Sequence, residues 1–186
     1  MKRTLSIIAA AVLLLLLGYQ LGRWQGRSAD SAATPEQEAE AIDEEALTSA
    51  ECEGASLDSI YFTDYKGERV AASAYAGDGT IIARFSTSAC RPCVNALTAS
   101  LMRHAAAHPA QRYLILLKNI EARDLYVLQP DFGPQFALLS CDSLPVDFND
   151  GETPVLFQLD DNGRVYNHFT CRYGDYDRTD RYLDEL

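Results

Sequence analysis

Two cysteines three positions apart, Cys90 and Cys93, are the residues of this chain best suited to covalent chemistry. They follow an apolar run that ends at Phe85, and apolar residues at helical spacing, beginning with Val94 and Leu97, come after them. The pair is therefore predicted where a buried strand gives way to the first turn of a helix. The unpaired N–H groups and the positive dipole end of such a turn stabilise a thiolate. Cys90, at the mouth of the helix, would be the nucleophile, and Cys93 would resolve the mixed disulfide that it forms. This is the chemistry of a dithiol–disulfide oxidoreductase.

The same pair could instead be half of a zinc site or an inert structural pair. Structural zinc takes four ligands, and the chain contains no second CxxC motif. His104 and His108 lie four residues apart on the predicted helix, so a metal site there is conceivable. Their position near the end of the helix, where positive charge is favourable, explains them equally well. The sequence therefore predicts redox chemistry without a metal and without a cofactor.

Apolar and β-rich segments predict the strands that position this site, at 58–63, 69–75, 80–85, 113–117, 155–159 and 165–169. A further short strand at 136–139 is weaker. Helices are predicted at 91–107, 121–128 and 175–186, the first with Pro92 in its opening turn. Tight turns are predicted at 77–79 and 160–163. The resulting order is β-β-β-α-β-α-β-β-α, typical of an α/β domain.

Three motifs in this order resemble those of the thioredoxin fold. They are the Cys90–Cys93 segment CRPC, the segment ETPVLF at 152–157 and the hairpin DDNGRV at 160–165. More closely, the chain from residue 55 to 186 looks like the TlpA/ResA-like branch, whose members are membrane-tethered and extracytoplasmic. The resemblance implies a thioredoxin-like fold, a central mixed sheet flanked by helices, and a thiol–disulfide oxidoreductase activity.

The resemblance also implies roles for residues around the two sulfurs. Pro154 would follow a cis peptide bond and expose the backbone of Thr153, so that an extended client segment pairs with it. Arg91 and Pro92, between the cysteines, would contact the same client. The clients would be protein thiols and disulfides, and a membrane electron donor would restore the dithiol.

Several positions depart from the pattern of this family. The family usually has tryptophan directly before the first cysteine and an aromatic residue four positions before it, where this chain has Ala89 and Ser86. Arg84 stands where an acid or an amide is common. If Arg84 points toward the sulfurs, its charge would stabilise a thiolate and make the couple more oxidising than that of thioredoxin, at about −270 mV. The direction of electron flow therefore stays open.

The N-terminal part predicts membrane attachment. Residues 5–21 are nearly all apolar, long enough to cross most of a bilayer, and Lys2 and Arg3 precede them. We interpret residues 1–27 as a single-pass signal-anchor in the inner (cytoplasmic) membrane, residues 28–54 as an acidic flexible linker, and residues 55–186 as one periplasmic domain. A cleaved signal peptide is the alternative, with small residues at 31–33. The formal net charge of −11 argues against nucleic acid as a partner.

The chain has five cysteines, an odd number. In an oxidising compartment most should be paired. Cys141 and Cys171 could form a structural pair that leaves Cys52 free in the linker, or Cys52 could pair with Cys171. The sequence does not choose between these pairings.

Two other functions remain open at this point. Thr87 and Cys90 resemble the T-x-x-C motif of peroxiredoxins, but the proline expected four residues before the threonine is Ala83 here. The chain could also be a non-catalytic module that binds a partner near Pro154, with a purely structural Cys90–Cys93 disulfide.

Overall fold

The computed structural model describes residues 50–146, 148, 153–172, 174 and 176–186. These residues form seven strands: β1 Tyr61–Thr63, β2 Arg69–Ala71, β3 Ile81–Ser86, β4 Tyr113–Lys118, β5 Phe136–Ser140, β6 Val155–Leu159 and β7 Val165–Thr170. The helices are α1 Arg91–Ala107, α2 Ala122–Leu128 and α3 Tyr176–Glu185. Two single turns of 3-10 helix cover Ala72–Tyr75 and Gln129–Asp131.

The strands form one mixed sheet in the order β2-β1-β5-β4-β3-β6-β7. Strands β3, β4 and β5 are parallel, and every other neighbouring pair is antiparallel. All six residues of β3 are buried, as expected for a central strand covered on both faces. The predicted central mixed sheet is therefore present, and its middle strand leads directly into the helix that carries the cysteines.

Two apolar clusters cover the two faces of the sheet. One cluster holds the buried residues of the three helices, including Leu101, Leu125 and Leu183. The other holds residues from the N-terminal segment and the loops, among them Leu57 and Phe148. Side chains along a strand point to alternate faces, so β3 contributes to both clusters. The helices thus share one face of the sheet, and loop segments close the opposite face.

Local signals set the bounds of α1. Pro92 lies in its first turn, where a missing N–H forfeits no helical hydrogen bond, and the helix ends at Ala107. His108 precedes Pro109, and a residue before proline is driven out of helical geometry. The predicted range of 91–107 is confirmed.

Three of the predicted strands differ in the structure. The strand predicted at 58–63 is shortened to β1 at Tyr61–Thr63, because residues 58 and 59 form a turn in which the Ile60 N–H donates to the Leu57 carbonyl over 2.9 Å. The weak segment at 136–139 forms β5, which makes the strand count seven. The predicted strand at 69–75 ends at Ala71, because Ala72–Tyr75 turn into a 3-10 helix that buries Ala72 and Tyr75 in the second cluster. Tertiary burial of these two side chains overrides the extended pattern of the segment.

The predicted membrane segment at 5–21 lies outside the described residues, as do residues 28–49 of the predicted linker. No helix within the part of the chain that the structure describes is long and apolar enough to span a membrane. The last residues of the predicted linker pack on the domain. Cys52 is 1% exposed within the second cluster, and the Gly54 N–H donates to the Val165 carbonyl over 2.8 Å.

Candidate redox site

Cys90 and Cys93 form a disulfide at the N-terminal end of α1. Their Cα atoms are 5.3 Å apart, within the range that a disulfide requires. Cys90 is exposed, whereas Cys93 is 7% exposed. One sulfur is thus open to an approaching molecule, and its partner lies one turn inward.

The start of α1 is electropositive. Cys90 is the residue before the first helical residue, and its carbonyl accepts from the Val94 N–H over 3.0 Å. Among the described residues no side chain caps this end, and the first turn contains no acid. The N–H groups of the first turn therefore remain available to a negative charge at Cys90.

Hydrogen bonds connect the loops that follow β3, β4 and β5 at this end of the sheet. Thr87 donates its N–H to the Lys118 carbonyl over 3.2 Å and its hydroxyl to the Asn119 carbonyl over 3.0 Å. Asn119 adopts a left-handed backbone conformation with φ of 57°, and its N–H donates to Asp142 Oδ1 over 3.0 Å. Its side-chain amide also contacts Ser86 Oγ at 3.4 Å. The turn that carries the cysteines is therefore fixed to its neighbours by side chains and backbone together.

The predicted cis bond at Pro154 is wrong. None of the peptide bonds between described residues is cis, so Thr153 and Pro154 are joined by a trans bond. Trans is the preferred form of an X–Pro bond by about 0.5–1 kcal/mol. Pro154 is buried, and its carbonyl accepts from the Cys171 N–H over 2.8 Å. Val155, the residue after Pro154, pairs with Arg84 near the end of β3 that leads to the cysteines, so Thr153 and Pro154 lie at that end of the sheet. Contact of Thr153 and Pro154 with a client stays a prediction, as it does for the exposed Arg91 and Pro92.

Arg84 is 3% exposed on β3. The side chain of the next residue, Phe85, points to the face covered by the helices, so the Arg84 side chain points to the other face. Its Nη1 donates to the Cys141 carbonyl over 2.9 Å, and it lines a cavity of about 330 Å³ with Asp142 and Phe148. Arg84 therefore lies on the face opposite to α1. Its influence on the Cys90–Cys93 couple remains a prediction.

The other three cysteines are thiols in the structure, so neither predicted pairing is formed. Cys171 belongs to the cluster under the helices, whereas Cys52 and Cys141 pack in the cluster on the opposite face. Each predicted pair would have to join opposite faces of the sheet. Cys52 is a core residue rather than a linker thiol. The half-buried Cys141 donates its thiol to the Ser143 carbonyl over 3.1 Å, and burial raises the pKa of this thiol.

The histidine pair is engaged within the fold. His104 Nδ1 lies 2.7 Å from the Tyr113 hydroxyl, and its ring contacts that of His108 at 4.1 Å between centroids. Among the described residues, no group of three or more His, Cys, Asp or Glu side chains could hold a metal ion. These contacts give the two histidines a structural role beside Tyr113.

An apolar cavity of about 280 Å³ adjoins the cysteines on the helical face. Ile115 and Leu117 of β4 form its floor, and Val94 of α1 and Leu128 of α2 form its walls. Ala89, directly before Cys90, also lines it. Sequence reasoning missed this cavity, although the small residues at positions 86 and 89 were the signal that could have found it.

No protein-family model matches the chain, and no curated protein matches it in sequence. The fold is nevertheless similar to those of several solved proteins. A thiol peroxidase from Chromobacterium violaceum matches with a TM-score of 0.51 and 16% identity, over 72% of this chain and 86% of that chain. A putative thiol:disulfide interchange protein DsbE from Chlorobium tepidum matches with a TM-score of 0.51 and 16% identity, over 72% and 96% of the two chains.

A third similar structure is BsSco, a member of the Sco family of cytochrome c oxidase assembly proteins. It matches with a TM-score of 0.50 and 11% identity, over 70% of this chain and 92% of that chain. At these identities the likeness concerns architecture alone. The chain has the thioredoxin-like fold that the three sequence motifs predict.

Proposed function

We propose that this protein is a thiol–disulfide oxidoreductase whose Cys90–Cys93 dithiol reduces disulfides of other proteins. One observation carries the proposal: the two sulfurs are bonded at an uncapped helix start, with Cys90 exposed and Cys93 buried. An attacking thiolate needs access and electrostatic stabilisation, and its resolving partner needs to be within bonding reach. The thioredoxin-like fold agrees with this assignment.

The reaction starts from the dithiol form. The Cys90 thiolate attacks one sulfur of a client disulfide, which forms a mixed disulfide and releases the first client thiol. The Cys93 thiolate then attacks Cys90 Sγ, which breaks the mixed disulfide and releases the second client thiol. Two electrons pass to the client, the two protons of the original dithiol end on the client thiols, and the Cys90–Cys93 disulfide remains.

Insulin reduction by dithiothreitol tests the proposal with the full-length chain in detergent. The wild-type chain should accelerate precipitation of the reduced insulin B chain, and Cys90→Ser should reduce the rate to that of dithiothreitol alone. Cys141→Ser is the matched control, because it removes a half-buried thiol on the opposite face. Full activity in Cys90→Ser would reject Cys90 as the nucleophile and assign the attack to another thiol. No activity in the wild type would reject the mechanism in favour of a structural disulfide in a binding module.

The proposal extends to location. The apolar run at 5–21, with Lys2 and Arg3 before it, supports a single-pass anchor in the inner membrane and a domain on the periplasmic side. Such a domain would draw its electrons from a membrane donor. In a Gram-negative host, the full chain should resist carbonate extraction and be digested by protease in spheroplasts. Recovery of the chain in the soluble fraction, with the N-terminal segment removed, would support the cleaved signal peptide instead.

A thiol peroxidase is the second candidate, because Thr87 lies three residues before Cys90 at the same end of the sheet. Its hydroxyl donates its one proton to the Asn119 carbonyl, so that proton is not available for a hydrogen bond to a bound peroxide. A peroxidase would consume hydrogen peroxide rapidly and form a sulfenic acid at Cys90. We expect the chain to reduce insulin quickly and to consume hydrogen peroxide slowly. Fast peroxide consumption with slow insulin reduction would favour the peroxidase.

A further inference from the structure

The apolar cavity between α1 and α2 opens beside the exposed cysteine. Ala89 and Arg91, the two chain neighbours of Cys90, both line it. Arg91 and Thr87 are exposed and mark its mouth, whereas Ile115 and Leu117 at its floor are buried. A molecule that brings a disulfide to Cys90 therefore presents its adjacent groups to this opening.

The cavity is the right size for one large side chain. Its volume is about 280 Å³, nearly twice that of an apolar cavity of about 150 Å³ that takes up benzene. Sites for drug-sized ligands begin at about 300 Å³. The cavity is open to solvent at its mouth, so its apolar lining faces water when nothing is bound. A ring or a branched aliphatic group seated there would remove this apolar surface from water, which is favourable.

We propose that this cavity binds an apolar side chain of the client protein, from a residue next to the cysteine that Cys90 attacks. The inference rests on the proposed function and names its substrate preference: disulfides flanked by large apolar residues. Adjacent residues in an extended client are about 3.3–3.6 Å apart, so a neighbouring side chain can reach the cavity while the client sulfur meets Cys90. Ala89 lies beside the exposed Cys90 and keeps the mouth open because its side chain is small.

Two cyclic disulfide peptides test this, identical except that phenylalanine flanks the cysteines in one and serine in the other. With the full-length dithiol form in detergent, the phenylalanine peptide should be reduced about tenfold faster, as burial of one apolar group predicts. Ala89→Trp should fill the mouth and remove this preference, so that the phenylalanine and serine peptides are reduced at the same rate. Thr98→Phe fills the cavity from a position further along α1, and it serves as a second test if Ala89→Trp does not fold.

Ala99→Trp is the matched control, since Ala99 is exposed on the same helix and does not line the cavity. This variant should keep the tenfold preference.

Equal rates for the two peptides in the wild type, or a preference that survives both filling variants, would overturn the proposal while leaving the reductase function intact. If neither peptide nor insulin is reduced, the proposed function fails and this inference fails with it. Faster consumption of cumene hydroperoxide than of hydrogen peroxide, lost in Ala89→Trp, would assign the cavity to a free hydroperoxide instead.

Discussion

The guanidinium of Arg84 donates a hydrogen bond of 2.9 Å to the backbone carbonyl of Cys141, 57 positions later in the chain. The contact joins the central strand β3 to the end of β5 across β4. Burial raises the pKa of the Cys141 thiol, and the Arg84 charge and the hydrogen bond to Ser143 offset part of that rise. Cys141 is therefore mostly protonated at neutral pH.

The first prediction concerns alkylation of the reduced chain. Because only the thiolate reacts quickly, iodoacetamide at pH 7 should modify Cys90 before Cys141. Raising the pH should accelerate the reaction at Cys141, since more of its thiol becomes ionised. Peptide mass mapping over time measures both rates. Modification of Cys141 at pH 7 as fast as that of Cys90 would contradict the burial effect.

The second prediction concerns the potential of the Cys90–Cys93 couple. Arg84 lies on the sheet face opposite to α1, six residues before Cys90 on the strand that leads to the site. A positive charge that acts on the sulfurs would stabilise the reduced form, so the sequence predicts a potential above about −270 mV. Arg84→Met should lower it and Arg84→Lys should preserve it. Equilibration in glutathione buffers, followed by alkylation of the remaining thiols, gives the values. Arg103→Met, which removes a cation farther along α1, is the control, and an unchanged potential in Arg84→Met would show that Arg84 has no part in tuning it.

The third prediction distinguishes the roles of Cys90 and Cys93 by the mixed disulfides that accumulate when each is replaced by serine. Cys93→Ser leaves Cys90 able to attack but removes the thiol that releases the client. A mixed disulfide at Cys90 should therefore accumulate with Cys93→Ser and be absent with Cys90→Ser. Non-reducing electrophoresis with mass mapping detects it. Accumulation in both variants would assign the attack to another thiol.

The fourth prediction concerns packing of α1. Leu101 is 1% exposed under the helix, whereas its neighbour Met102 is 38% exposed. Leu101→Ala should lower the free energy of unfolding by about 2–5 kcal/mol, and Met102→Ala by no more than about 0.5 kcal/mol. Urea unfolding followed by circular dichroism gives both values. Equal losses would mean that α1 does not pack as described.

The fifth prediction concerns pH and His104. Burial, reinforced by the charge of His108, lowers the pKa of His104 below its ordinary value of 6.5. Its neutral form is favoured in the folded chain, so the unfolded chain takes up a proton first as pH falls. The free energy of unfolding should therefore decrease from pH 7.5 to pH 5.5, and this decrease should be smaller in His104→Gln. Urea titrations at the two pH values measure the difference, and an identical decrease in both chains would exclude His104 as its source.

The sequence predicts well those elements that local chemistry defines. Pro92 in the first turn and Pro109 after the last turn bound α1. Gly163, with φ of 66°, forms the turn between β6 and β7. A continuous apolar run identifies β4 as a strand covered on both faces. Such signals lie within a few residues of the feature that they predict.

Features that depend on distant parts of the chain were not predicted. Cys52 lies in a segment whose composition suggests a linker, yet the second cluster buries it. The trans bond before Pro154 departs from what the family resemblance implies. The apolar cavity is formed by residues from two strands and two helices, so its existence depends on packing that no local pattern records. The partner of Arg84 was missed for the same reason, because it lies 57 residues away.

The hydrogen bonds of Thr87 and Asn119 hold the cysteine-bearing turn to the next two loops, and neither bond involves a sulfur atom. Breaking the sulfur–sulfur bond removes none of these restraints. We therefore expect reduction to change side chains at the start of α1 and to leave the backbone around the two cysteines in place.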